Sequence, residues 1–180
     1  MKHLKRILYI FVTYIVYDLF FLAVFLPNPG RDTIHYVISV ATAYITWSTI
    51  YKYLWRCGKE DMRIIKSRQK HEEGFNGSFN PYYGILIALP FTVFNIILAL
   101  LAYNADFVFS VVFKLFNYCC WNFMSTKDGA YNHIGVAGAL IIPLLICAVG
   151  YIVGKTEFSI SDNILPKIIY KKNNNGKSDK

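Results

Sequence analysis

The chain has 180 residues, 55% of them hydrophobic and 17% aromatic, and its mean hydropathy is +0.35. Its apolar residues come in long unbroken runs rather than the short amphipathic pieces of a soluble core, which is the membrane pattern. The net charge of +8 does not imply nucleic acid, because the Lys and Arg flank the hydrophobic runs and form no basic patch interleaved with aromatics.

The first run extends from about Ile7 to Leu26 and ends at Pro27-Asn28-Pro29-Gly30. It follows Lys2, Lys5 and Arg6, as a signal peptide would. However, it is longer than a usual h-region, and Val24-Phe25-Leu26 offers no small-residue cleavage site, so it reads as an uncleaved span. The second run, 34–53, carries Ser39, Thr42, Thr46, Ser48 and Thr49, whose hydroxyls can bond back to helix carbonyls. A polar cytoplasmic loop is expected over 56–80, with a short helix opening at Gly58 and turns from Gly74 to Pro81. The third and fourth full spans are 84–103, containing Pro90 and Asn95, and 134–153, containing Pro143.

Between these last two lies 107–124. There Asp106, Ser110, Lys114 and Asn117 recur at spacings of four, four and three, marking one polar stripe on a helix. A mid-span Lys is costly in lipid, so an amphipathic or re-entrant interfacial helix is expected. Charge placement agrees. With four spans and both termini cytoplasmic, every Lys and Arg except Arg31, Lys114 and Lys127 falls inside, as the positive-inside rule requires. The expected architecture is therefore all-α and polytopic. A transmembrane domain covers 1–154, and a basic cytoplasmic tail covers 155–180, its end too polar to fold.

Asp18 is the most informative single residue, because a carboxylate in mid-span costs a few kcal/mol at least, on the order of 3. Asp18 lies eleven residues past Ile7, Asn95 eleven past Gly84, and Thr42 eleven before Tyr53, so the three share a depth. This polar layer serves either as interhelical glue or as a proton- or cation-handling site. Gly150 with Gly154, and Gly135 with Ala139, form small-xxx-small pairs that let helix backbones approach. The four cysteines lack metal-ligand spacing, and His71-Glu72-Glu73 lacks the second His of a zinc-protease helix, so neither metal nor cofactor is expected. No nucleophile signature or phosphate loop occurs, and an enzyme is not expected.

The C-terminal run Gly150-Tyr151-Ile152-Val153-Gly154-Lys155, then Ser159-Ile160-Ser161-Asp162 and Ile168-Ile169-Tyr170-Lys171-Lys172, together with the charged central loop, resembles a group of small uncharacterised multi-pass membrane proteins from Firmicutes-type bacteria. That resemblance implies the bacterial cell membrane and no particular activity. The expected role is a non-enzymatic accessory subunit that contacts the lipid bilayer and a protein partner through loop 56–80. The alternative is a small ion or solute transporter working through the Asp18 layer. If Asp18 is glue, Asp18→Asn lowers the amount of protein recovered from membranes; normal abundance with loss of a proton-linked phenotype contradicts that reading.

Overall fold

A computed structural model describes residues 2–25, 33–104, 107–117, 120–124 and 131–156, without the side chains of 21, 24, 25, 33–35, 107 and 121. The tail beyond 156, Asp106 and Cys119 lie outside the described residues. Within them all regular structure is helical: α1 (Lys2–Phe25), α2 (Thr33–His71), α3 (Tyr83–Tyr103), α4 (Phe107–Phe116), α5 (Trp121–Met124) and α6 (His133–Lys155). Two helices, α3 and α6, are long and apolar enough to cross a membrane by length and composition.

Four helices form the bundle. α6 packs along α2 and α3, and α1 lies against α2 and α3, so neighbours follow the order α1, α2, α6, α3. One end of the core joins Ile10, Ile50, Leu54, Ile87, Phe91 and Cys147; the other joins Ala43, Ala99, Ala102, Phe113, Val136 and Ala139. The start of α1, the far part of α2, the start of α3 and the end of α6 therefore share one end. Successive long helices run in opposite directions.

The longest element differs from expectation. Segment 56–80 is not a loop up to its turns: α2 continues without a break through Gly58 to His71, 39 residues or about 58 Å. A glycine within a helix normally weakens it by roughly 1 kcal/mol. Here it is needed, because a methyl group on Gly58 would collide with the Tyr151 carbonyl on α6, and one on Gly154 with the Trp55 carbonyl on α2. Gly150 approaches Tyr51 in the same seam, where a methyl would sit 3.0 Å from its carbonyl oxygen. The α2 and α6 backbones thus touch over more than a turn, and after Gly58 good helix formers carry the helix outward. It stops at a turn with Gly74 at φ 85°, a left-handed conformation that glycine adopts at little cost. The returning strand of chain is pinned where Gln69 donates to the Gly77 carbonyl (3.1 Å) and Arg68 lies over the Phe75 ring (4.6 Å).

Segment 107–124, expected as one amphipathic or re-entrant helix, is not continuous. It is divided into α4 and α5, and the polar stripe on α4 faces inward. Ser110 bonds Tyr131 (2.6 Å), Phe113 and Asn117 are buried, and Val108, Val111 and Leu115 are exposed. Asn122 of α5 donates to Ser39 of α2 (2.7 Å), and Gly135 abuts the Phe123 backbone. α6 begins where the Asn132 side chain accepts from the Ile134 amide (3.2 Å), capping its first turn.

By contrast, a methyl on Gly138 would meet only Ile142 of its own helix, at 3.8 Å. Gly138→Ala should therefore leave the thermal midpoint in detergent unchanged or raised. Gly58→Leu and Gly154→Leu should each cost about 3 kcal/mol or more, because backbone cannot yield as a side chain does. Equal tolerance at all three positions would contradict the α2–α6 seam.

Candidate functional site

The shared end of the bundle holds the densest polar constellation. Arg6 of α1 is only 3% exposed although it is charged. Its guanidinium grips Asp61 of α2 with both arms, Nη1 to Oδ2 at 2.5 Å and Nη2 to Oδ1 at 2.8 Å, the fork geometry that makes Arg–carboxylate pairs strong. Lys2 adds a bond to Asp61 Oδ1 at 2.9 Å, and the Tyr151 hydroxyl of α6 donates to Oδ2 at 3.0 Å. Glu60 lies 3.6 Å from both Lys2 and Arg6. Arg6 also lies over the Tyr83 ring (5.4 Å to its centroid), and the Tyr83 hydroxyl bonds His3. One carboxylate therefore ties α1, α2 and α6, and the arginine brings in α3.

Burial alone would raise the Asp61 carboxyl, but bonds from Arg6 and Lys2, the Arg6 charge and Tyr151 outweigh it and hold the group below the usual carboxylate range. Burial likewise works against the Arg6 charge, and Asp61 more than compensates. Burial pushes the Cys57 thiol up, despite Arg6 nearby, which makes it a packing residue rather than a nucleophile. Among the described residues, no three His, Cys, Asp or Glu side chains converge as a metal site would require.

The three residues of the expected polar layer are all buried: Asp18 at 3%, Thr42 at 3% and Asn95 at 2% exposure. Thr42 and Asn95 bond other residues. Thr42 donates to the Ser39 carbonyl of its own helix (2.8 Å), and Thr46 donates to Thr42 (3.0 Å). Asn95 accepts from Asn117 of α4 (3.0 Å), whose amide also donates to the Phe113 carbonyl (3.1 Å). Tyr17, one residue before Asp18, bonds Thr49 of α2 (3.2 Å). Of the small residues, Gly150 and Gly154 meet α2, Gly135 meets α5, and Ala139 lies in the core near Val136. Pro143 is buried within α6.

Sequence reasoning missed Arg6, Asp61 and Tyr151. Arg6 reads locally as one of the charges that flank the first run, and Asp61 as one charge among many in the polar segment 56–80. A signal was present: Gly58 precedes Asp61 by one turn, and Tyr151 precedes Gly154 by one turn, so a close backbone seam places an acceptor opposite a donor.

A second feature is an apolar cavity of about 430 Å³ between α2, α5 and α6, lined by Val40, Ala43, Tyr44, Trp47, Gly138 and Ile142 among others. It carries no convergent polar groups and so suggests no chemistry. Comparison with family models, with curated proteins and with solved structures returned no match to this chain.

Removing one partner of a buried ion pair strands the other, at a cost of about 3–5 kcal/mol. Arg6→Ala and Asp61→Ala should each lower stability in detergent by that order, and Arg6→Lys by less. A depressed carboxylate adds stability that is complete above the unfolded value near 4 and lost as pH falls through the lowered folded value. The thermal midpoint should hold steady from about pH 7 to 5 and drop below about pH 4, with a smaller drop for Asp61→Asn. An identical acid drop in that variant would assign the effect elsewhere.

Proposed function

We propose that the chain is a four-span, non-enzymatic accessory subunit of the bacterial cytoplasmic membrane, with both termini cytoplasmic, that holds out the end of α2 to a protein partner. The observation that carries the membrane part is an inverted surface. Buried positions include Arg6, Thr13, Asp18, Ser39, Asn95 and Asn117. Exposed ones include Val12 and Val16 on α1, Val37 and Val40 on α2, Ile97 and Leu100 on α3, and Leu145 and Val149 on α6. In water so extended an apolar surface would be a large liability. In hydrocarbon it is the low-energy arrangement. All four long helices share it, which supports four spans where composition alone picks out two. α4, at 10 residues or about 15 Å, is too short to cross, and its inward polar stripe suits a re-entrant hairpin.

The accessory role rests on how the polar groups are used. Asn95, Asn117, Thr42 and Thr46 spend their bonds joining or bracing helices, and the ionic knot fixes the base of the α2 overhang. Such an interior braces and does not conduct. Transport is the second reading, favoured by the burial of Asp18 in mid-α1.

Gentle solubilisation followed by size-exclusion chromatography should recover a partner in fixed stoichiometry, while reconstituted liposomes show no flux that depends on Asp18. Ion or solute flux lost in Asp18→Asn at normal abundance would replace the accessory reading with transport. Reporter fusions should be active on the cytoplasmic side at both termini and on the outer side between α1 and α2; an external C-terminal reporter would overturn the threading.

A further inference from the structure

Beyond the membrane end, α2 carries Lys52, Arg56, Lys59, Arg63, Lys66 and Lys70, at spacings of four, three, four, three and four. At 100° per residue these six fall within about 80° of one another around the helix axis. Asp61 and Leu54 lie on the opposite side, and they are the residues that pack on α1, α3 and α6. The cations therefore point straight away from the bundle. Lys52, Arg56, Arg63, Lys66 and Lys70 are exposed, and Lys59 rests over the Trp55 ring (4.8 Å).

Three of the nearby carboxylates are engaged away from this face. Glu60 and Asp61 are held by Lys2 and Arg6, and Glu72 is held by Arg68 at 3.0 Å. The returning segment 72–80 reaches α2 through Arg68, opposite the row, and Gln69, on its flank. Outward stands a straight row of six basic side chains on one continuous helix.

Resting on the accessory reading above, we infer that this row is the docking face for an acidic helix of a partner protein, one whose Glu or Asp side chains repeat at the same alternating three- and four-residue spacing. A bilayer fits less well. The row runs along the helix axis for about 27 Å, whereas headgroup attraction fades over a Debye length of about 8 Å. α2 is held against α1 and α6 as far as Asp61, so it cannot lie down to bring the distal cations to lipid. A nucleic acid fits less well too, since the row is one residue wide and the aromatic beside it, Trp55, is covered by Lys59. Complementary charge along such a row sets partner choice and register, as charged flanks do in paired helices.

The test uses the full chain in phosphatidylcholine nanodiscs and a labelled synthetic helix of about 20 residues with Glu at that spacing. Fluorescence anisotropy should show this peptide binding about tenfold or more tightly than one of equal composition with its Glu spread around the helix, and weakening with salt. Arg63→Glu/Lys66→Glu/Lys70→Glu should abolish the binding with the thermal midpoint unchanged; should that variant fail to fold, Arg63→Gln/Lys66→Gln/Lys70→Gln should weaken it about tenfold. Equal binding of both peptides, tighter binding of a duplex RNA of similar length, or loss of peptide binding when phosphatidylglycerol is added to the nanodisc would overturn the inference. A stoichiometric partner that stays bound to the charge-reversed chain would also overturn it, while leaving the accessory reading intact. Asp18-dependent flux without a partner would overturn both.

Discussion

Much of this fold follows from one constraint: polar groups inside the bundle are best satisfied by partners inside the bundle. Where no water stands ready to bond an orphaned hydroxyl or amide, a helix must use its own carbonyls, and Thr42, Thr46, Ser48 and Thr49 of α2 are each turned back on their own helix. Asn95 is satisfied only because α4 folds back to present Asn117. The short hairpin between α3 and α6 is thus a delivery device for an amide as well as a connection. Its exposed valines and leucine can then face outward.

The same constraint accounts for the knot at the other end. A charge as deeply buried as Arg6 is tolerable only with an ionised partner in bidentate geometry, and Asp61 is that partner. Reaching it requires α2 to pass its expected end unbroken, and α6 to come close enough for Tyr151 to share the carboxylate. Gly58, Gly150 and Gly154 remove the side chains that would prevent this. Close backbone packing, a buried ion pair and a long helical overhang are therefore consequences of one arrangement. The overhang inherits its direction from the knot and its outward positive face from the way α1 neutralises its acidic residues.

Much of the bundle was legible in the sequence because the hydrophobic runs, their Pro and Gly boundaries and the small-residue pairs act locally. Helix positions for α1, α3 and α6 follow from these signals. What was not legible depends on partners far apart in the chain. Gly58 reads locally as a helix breaker, and only the α6 backbone lying against it explains why the helix continues. Arg6 and Asp61 are 55 positions apart, and nothing in either neighbourhood names the other. The polar residues Ser110, Lys114 and Asn117 share one side of the α4 segment, but a side facing water and a side facing a protein interior carry the same periodicity. Asn95 and Thr42 are both buried in the bundle, and only the tertiary structure shows that Asn117 and Ser39 take up their bonds.

The central claim is that hydrocarbon surrounds the exposed apolar faces, and site-directed spin labels report that solvent directly. Labels at Val16, Val40, Ile97 and Leu145, one on each long helix, should in liposomes collide far more often with oxygen than with a water-soluble nickel chelate. A label at Arg63 on the overhang should show the reverse. Nickel-chelate collisions as frequent at the four bundle positions as at Arg63 would contradict the account.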